Sequence, residues 1–301
     1  METGLRRLRY FRLLADEPSF RRAAERLGIT QPALSRAIAL LEEDVGAALL
    51  ERTRRGVRLT PAGESFAVGA ANVLAALDGA VGQARKVADG LAGNLVVGYT
   101  DTAVAGRLPD LVRGFRERCP DVHVRLRQGY TRQQRHWLGI GELDVAFMTG
   151  PVDEPGRDAL PVQRDRFVAI LPRHHPLAEA APLALADLAA EPFVMGDPDH
   201  WSVYNEQFLA LCERAGFAPR IVQSAPDSRG IVGLVSCGMG VSVQTESLAP
   251  LADPRVRFRA LEDCTERVTT VAAWNTRFMP PVKARMIEYL REHAVGGTGA
   301  P

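Results

Sequence analysis

Ser19-Phe20-Arg21-Arg22-Ala23-Ala24-Glu25-Arg26-Leu27-Gly28-Ile29-Thr30-Gln31-Pro32-Ala33-Leu34-Ser35-Arg36-Ala37-Ile38 is the stretch on which the reading of the chain turns. Phe20, Ala23, Ala24 and Leu27 recur at i, i+3, i+4 and i+7, the period of one helix face. Ser19 suits the N-cap of that helix and Gly28 its C-terminal stop. Only Ile29 separates Gly28 from Thr30, which caps a further helix with Pro32 in its first turn. Two helices joined by so tight a glycine-containing turn predict a helix-turn-helix. On the second of them Leu34, Ala37, Ile38, Leu41 and Val45 share an inward face. Gln31, Pro32, Ser35, Arg36 and Ala39 share another arc. An amide can pair with adenine N6/N7 and a guanidinium with guanine O6/N7, so this arc suits a major groove. It also suits a solvated face, and the helix alone does not choose between the two.

The flanks decide. Upstream, Leu5, Leu8, Phe11 and Leu14 predict a first helix. Downstream, Leu49-Leu50-Glu51-Arg52 and Val57-Arg58-Leu59-Thr60 alternate around Thr53-Arg54-Arg55-Gly56, as in a β-hairpin. Arginines at its tip suit phosphate or minor-groove contact. Helix-turn-helix plus hairpin predicts a winged helix-turn-helix over residues 1–60. This segment holds 12 Arg against 8 Asp and Glu, a net of +4, and the other 241 residues carry −3. The basic charge is therefore concentrated where DNA contact is expected.

The runs Ser19–Leu27, Thr30–Ile38 and Leu40-Leu41-Glu42, with Leu50-Glu51-Arg52-Thr53-Arg54-Arg55-Gly56-Val57-Arg58-Leu59-Thr60-Pro61-Ala62-Gly63, resemble LysR-type transcriptional regulators. Two departures are visible. Leu50 stands where the family usually has Phe, and Pro18 precedes Ser19 where Gly is usual. The resemblance implies sequence-specific binding of double-stranded DNA. Gln31, Pro32, Ser35 and Arg36 would read base edges, with Arg22, Arg54 and Arg55 on the backbone.

Thr60 and Pro61 open a long helix, expected over 61–90. Phe66, Ala70, Val73, Leu77, Ala80 and Ala84 follow a 4-3-4-3-4 spacing, a heptad seam. The same spacing suits packing against the chain's own domain. The resemblance implies that this helix pairs antiparallel with a second subunit, as dimer or tetramer.

From Gly93 onward, apolar runs such as Leu95–Tyr99, Leu143–Phe147 and Arg166–Leu171 alternate with helical faces, which predicts mostly parallel sheets covered by helices. This part is similar to the family's effector domain, which resembles periplasmic solute-binding proteins. The expected architecture is thus α/β with a helix-rich N-terminal part. It comprises a winged helix-turn-helix, a linker helix, and a two-subdomain effector domain over 91–295. Subdomain I would span about 92–164 and 268–294, subdomain II about 165–267, with crossovers near 163–166 and 264–269. A tail over 296–301 is expected to be disordered.

A ligand should sit beyond the strand C-termini, between the subdomains. Candidates are Thr100, Asp101, Thr102, Gly129, Tyr130 and Thr131 from the first, and Gly196, His200, Trp201, Tyr204, Gln223 and Ser224 from the second. Asp101 would repel a carboxylate and favour a polar or cationic group. Each could equally be a helix cap or a loop side chain.

The remaining composition excludes more than it selects. Cys119, Cys212, Cys237 and Cys264 lie far apart, so neither a zinc site nor a disulfide framework is expected. No nucleotide-binding, metalloprotease or nucleophile-elbow motif is present, and no metal, cofactor or catalytic residue is assigned. No stretch approaches 18 uninterrupted apolar residues, which argues against a membrane partner. The Arg-rich start lacks the apolar core of a signal peptide, which implies the cytoplasm. The expected function is a DNA-binding regulator modulated by a small-molecule effector and contacting RNA polymerase. The alternatives are a regulator that needs no ligand and, more remotely, a cytoplasmic solute-binding protein or an enzyme.

Overall fold

The computed structural model describes residues 4–17, 19–53, 56–179, 181–251 and 253–295. Pro18, Arg54, Arg55 and the tail 296–301 lie outside the described residues. The chain divides into two compact units, residues 1–85 and 86–301.

The first unit holds α1 (Leu5–Asp16), α2 (Phe20–Leu27), α3 (Gln31–Val45), β1 (Leu50–Thr53), β2 (Gly56–Leu59) and most of α4 (Pro61–Ala88). Its local signals act as the sequence suggests. Ser19 Oγ accepts from the Arg22 amide, Thr30 Oγ1 accepts from the Ala33 amide, and Gly28 turns the chain at φ +64°. That left-handed conformation is one that glycine adopts without steric cost. Phe11, Leu14, Leu34, Leu41 and Leu49 are fully buried and form the core. Burying each stabilises the unit by roughly 1.5–3 kcal/mol before entropy is counted. Ala37 and Val45, from the same helical face, are partly buried against it.

Glu42 performs a junction role that no local pattern announces. Its Oε1 accepts from the amides of Leu49 (2.7 Å) and Leu50 (3.0 Å), fixing the entry to the hairpin. Thr60 closes the exit: its Oγ1 donates to Ala48 O at 2.7 Å and its amide to Leu49 O at 3.0 Å. β1 and β2 pair antiparallel, Leu50 opposite Leu59.

Two features of the helix α4 bear on the sequence reading. Phe66 and Ala70, assigned to an intersubunit seam, spend apolar surface on their own unit: Phe66 meets Phe11 edge-on at 5.3 Å and Ala70 is buried. Periodicity identifies an apolar face but not what covers it. Of the other seam positions, Leu77 is half-buried, while Val73, Ala80 and Ala84 are exposed. Second, α4 is long and apolar enough by length and composition to cross a membrane. Polar residues such as Asn72, Asp78 and Gln83 interrupt it, so counting unbroken apolar runs passes it over.

The second unit contains β3 (Ala92–Tyr99), α5 (Asp101–Ala105), α6 (Leu108–Arg118), β4 (Asp121–Gln128), α7 (Thr131–Ile140), β5 (Val145–Thr149) and β6 (Arg157–Pro172). There follow β7 (Pro192–Gly196), α8 (Pro198–Arg214), β8 (Arg220–Ala225), α9 (Ser228–Ser236), β9 (Ser242–Thr245), β10 (Val256–Ala260), β11 (Arg267–Asn275) and α10 (Pro281–His293). One sheet runs β10-β6-β11-β5-β3-β4, with β9 also on β6, and β7 pairs with β8 alone. The sheets are mixed rather than mostly parallel. β3 is parallel to β4 and β5, and β7 to β8, whereas every pair made by β6 or β11 is antiparallel. The reason is topological: β6 leaves the first half of the unit and β11 returns to it, so the two run in opposite directions side by side.

The 16-residue β6 joins the halves. Residues 157–166 pair with β11, and residues 167–172 pair with β9 and β10. Each half has its own core. Leu95, Phe115, Phe147 and Met286 lie in one, and Ile170, Phe193, Phe208 and Ile231 in the other. Asp165 sits at the change of partner, 4% exposed, and its Oδ2 accepts from Gln163 Nε2 (2.5 Å) and Ser247 Oγ (3.2 Å). Burial pushes this carboxyl above its ordinary value, because the charged form is the one that loses hydration.

Candidate functional site

Two surfaces carry the residues the sequence singles out. On the first, α3 buries Leu34, Ile38 and Leu41 and turns Gln31, Pro32 and Arg36 to solvent, with Ser35 half-buried. None of Gln31, Ser35 and Arg36 has a side-chain hydrogen bond or ion pair within the described residues. Their donors and acceptors are therefore free for an outside partner. Arg22 differs: its Nη2 lies 2.9 Å from Glu17 Oε2, so its charge is already paired within the chain. Arg58 on the hairpin is likewise paired with Glu51 at 2.7 Å.

The second surface is a cavity of about 310 Å³ where the strand ends of both halves of the second unit face one another. β3, β4 and β5 deliver Thr100, Gln128 and Thr149 at or beyond their C-terminal ends. α5 and α7 begin there with Asp101, Thr102, Thr131 and Gln133, preceded by Gly129 and Tyr130. From the other half come His200, Trp201, Val203 and Tyr204 on α8, and Asp227 at the start of α9. Strand C-termini followed by helix N-termini line the crevice because parallel strands return through helices, which must start where the strands stop.

Several contacts bridge the two walls. Asp101 Oδ1 accepts from Gln128 Nε2 at 2.7 Å on its own side, and its Oδ2 accepts from the Ser228 amide at 3.0 Å on the other. Tyr130 stacks on His200 with ring centroids 4.0 Å apart. Outside the cavity lining, Gln207 Nε2 donates to Gly150 O at 2.7 Å. Each wall is also braced internally. Thr131 Oγ1 accepts from the Thr149 amide, Trp201 Nε1 donates to Pro226 O, and the Tyr204 hydroxyl donates to Val243 O. Burial holds the Tyr130 phenol above its ordinary value, and the carboxylates of Asp101, Asp227 and Asp197 push it further in the same direction.

Nine of the twelve effector candidates, Thr100, Asp101, Thr102, Gly129, Tyr130, Thr131, His200, Trp201 and Tyr204, line this one cavity. Gly196, Gln223 and Ser224 do not. They border a separate surface depression with Asn205 and Ile221. The physical reason lies at Gly196: a Cβ there would come within 2.5 Å of Trp201 Cβ, so the indole occupies the space and presents itself instead. β8 is an edge strand, and Gln223 and Ser224 are exposed on it. Gln128, Gln133, Thr149, Val203 and Asp227 line the cavity without having been singled out. Gln128 and Thr149 end their strands, as Tyr99 before Thr100 does, and Asp227 caps α9 through Gly230 N at 2.7 Å. Both signals were in the sequence.

Cys119, Cys212 and Cys264 are buried free thiols, and Cys237 is an exposed one. Burial pushes Cys212 up to about 12 and Cys264 up to about 11. Among the described residues no group of three His, Cys, Asp or Glu side chains is placed to hold a metal ion.

Residues 5–64 match the family model for the bacterial regulatory helix-turn-helix protein, lysR family, and residues 88–295 match the LysR substrate binding domain. The chain is 34% identical to the HTH-type transcriptional regulator AlsR of Bacillus subtilis (strain 168), over 90% of this chain and 89% of the relative. It is 35% identical to the Hca operon transcriptional activator HcaR of Escherichia coli (strain K12), over 98% and 99%. Among solved structures, the LysR family transcriptional regulator CbnR superposes with a TM-score of 0.87 at 27% identity, covering 96% of this chain and all of that one. The full-length CbnR complex with its target DNA gives 0.83 at the same identity, covering 97% of this chain.

Proposed function

Because the chain belongs to the LysR family of bacterial transcriptional regulators, we propose that Gln31, Ser35 and Arg36 read base edges while a small molecule in the Thr100–Tyr204 cavity sets the regulatory state. The chain is a DNA-binding transcriptional regulator whose activity a small-molecule effector modulates. The observation that carries the residue assignment is the unpaired state of Gln31, Ser35 and Arg36 beside a buried Leu34–Leu41 face. Each good bidentate base contact discriminates by about 1–3 kcal/mol. Arg54 and Arg55 supply salt-sensitive attraction to phosphates. Arg22 contributes less, because Glu17 already neutralises it.

The cavity is walled by both halves of the second unit, so its occupant can favour one arrangement of the halves over another. It does so only by binding the two arrangements with different affinity. One winged helix reads a short half-site, so the reading unit is a homodimer or homotetramer assembled partly through the exposed stretch of α4. The protein works in the cytoplasm beside RNA polymerase, and it is not an enzyme. DNase footprinting on the chain's own upstream DNA tests this reading. A two-fold-symmetric protected stretch with half-sites about one helical turn apart is expected. Equal, salt-labile protection of an unrelated fragment would refute sequence-specific reading of that DNA.

A further inference from the structure

The cavity's polar groups are sorted by sign. Thr102 is 5% exposed and Thr149 6%, and both line the cavity. Neither hydroxyl has a hydrogen-bond partner among the described residues. Beside them α7 begins at Thr131, and the Tyr130 side chain does not cap the amide donors at its start. A helix start of this kind favours negative charge. This wall therefore offers donors to an acceptor group.

The opposite sign lies close by. Asp101 and Asp227 line the same cavity, and no Lys or Arg does among the described residues. Asp227 Oδ1 accepts from Gly230 N, while its Oδ2 has no partner among the described residues. The carboxylates of Asp101, Asp197 and Asp227 push the Tyr130 phenol upward, in the same direction as its burial. A simple carboxylate entering here gains hydroxyl donors but meets the carboxylates of Asp101 and Asp227, with no lysine or arginine among the described lining residues to offset them. A simple amine satisfies the carboxylates and leaves the Thr102 and Thr149 hydroxyls without acceptors.

Resting on the reading of this cavity as the effector site, we infer that the effector is a zwitterion of the α-amino-acid type. Its carboxylate is taken by Thr102, Thr149 and the start of α7, and its ammonium by Asp101 and Asp227. The rest of the molecule lies against Val203, Trp201 and Tyr204. A cavity of about 310 Å³ is at the small end of ligand sites, which suits a compact ligand.

The test is calorimetric titration of the full chain with three matched series. They are the proteinogenic amino acids, their des-amino acids (4-methylpentanoate for leucine, 3-phenylpropanoate for phenylalanine) and their decarboxylated amines (3-methylbutylamine, 2-phenylethylamine). At least one amino acid should bind about tenfold or more tightly than both of its truncated partners, the usual scale of a charged hydrogen bond. Asp227→Asn keeps a competent N-cap and should erase the preference over the des-amino acid without loss of helical signal. A des-amino acid or an amine that binds as tightly as its parent overturns the zwitterion and leaves the cavity as the effector site. No binding by any of the three series likewise overturns the zwitterion.

Discussion

Gly63 offers the sharpest test of how the winged unit is held together. It lies in the first turn of α4, where a Cβ would penetrate the Leu49 carbonyl oxygen and stand 2.9 Å from Leu49 C and 3.3 Å from Leu49 Cα. The Leu49 backbone cannot retreat easily. Glu42 Oε1 holds its amide at 2.7 Å, and the Thr60 amide holds its carbonyl at 3.0 Å. Gly69, one and a half turns further on, has nothing within 4 Å of its would-be Cβ. In an unobstructed helix Gly→Ala stabilises by roughly 0.5–1 kcal/mol, and forcing an atom into filled space costs about 1–3 kcal/mol. Gly69→Ala should therefore stabilise the unit by roughly 0.5–1 kcal/mol. Gly63→Ala should destabilise it by about 1–2 kcal/mol net, since the clash is with backbone. For a unit of this size that corresponds to shifts of several degrees in opposite directions, at about 4–8 °C per kcal/mol. Calorimetry of the full chain reads both transitions. Trp137, Trp201 and Trp274 all lie within residues 86–301, so tryptophan fluorescence should report an unmoved second transition. Because Leu49 leads directly into the hairpin, Gly63→Ala should also weaken DNA binding measured well below its midpoint. If Gly63→Ala stabilises like Gly69→Ala, the close approach of α4 to Leu49 does not exist and the reasoning fails.

Arg36→Ala should weaken binding to the footprinted duplex by about ten- to hundredfold, with little change on a scrambled duplex; fluorescence anisotropy with both duplexes checks this, and an equal loss on both makes Arg36 a phosphate contact. Val73, 49% exposed on α4, should tolerate Glu for folding but not for assembly. Light scattering should then show Val73→Glu as a smaller species, and an unchanged mass would remove this stretch from the interface. Asp165 has a raised folded-state pKa, so its contribution to stability is present below its unfolded value, about 3.9, and is lost as pH rises through the folded value. Asp165→Asn should accordingly be more stable than the parent near neutrality, and the gap should close toward about pH 4. A gap independent of pH, followed by tryptophan fluorescence, would contradict the burial of a charged group there.

What the sequence disclosed follows the distance over which each device acts. Ser19, Gly28, Thr30 and Pro32 each act within a few residues, so the helix-turn-helix was readable letter by letter. Glu42 reaches seven and eight residues ahead to Leu49 and Leu50, beyond any periodic pattern, and nothing in its neighbourhood distinguishes it from Glu43. The seam on α4 shows a different limit. A 4-3 spacing encodes an apolar stripe, and Phe66 and Ala70 show that one stripe can be divided between the helix's own core and solvent.

The cavity combines both cases. Thr100, Asp101 and Thr102 were legible because a strand that ends before a helix cap puts its residues at a crevice. The link that joins the walls, Asp101 to Ser228, spans 127 residues, and only the fold brings them together. Residue chemistry still constrained the answer before geometry did: an aspartate just past a strand end already favoured a cationic group over a bare anion. The geometry adds Asp227 on the facing wall and the largely buried Thr102 and Thr149 beside them. A preference that one residue could only suggest thereby becomes a division of the site into an acidic part and a donor part. That division can arise only where elements distant in sequence converge, and a single stretch of sequence cannot encode it.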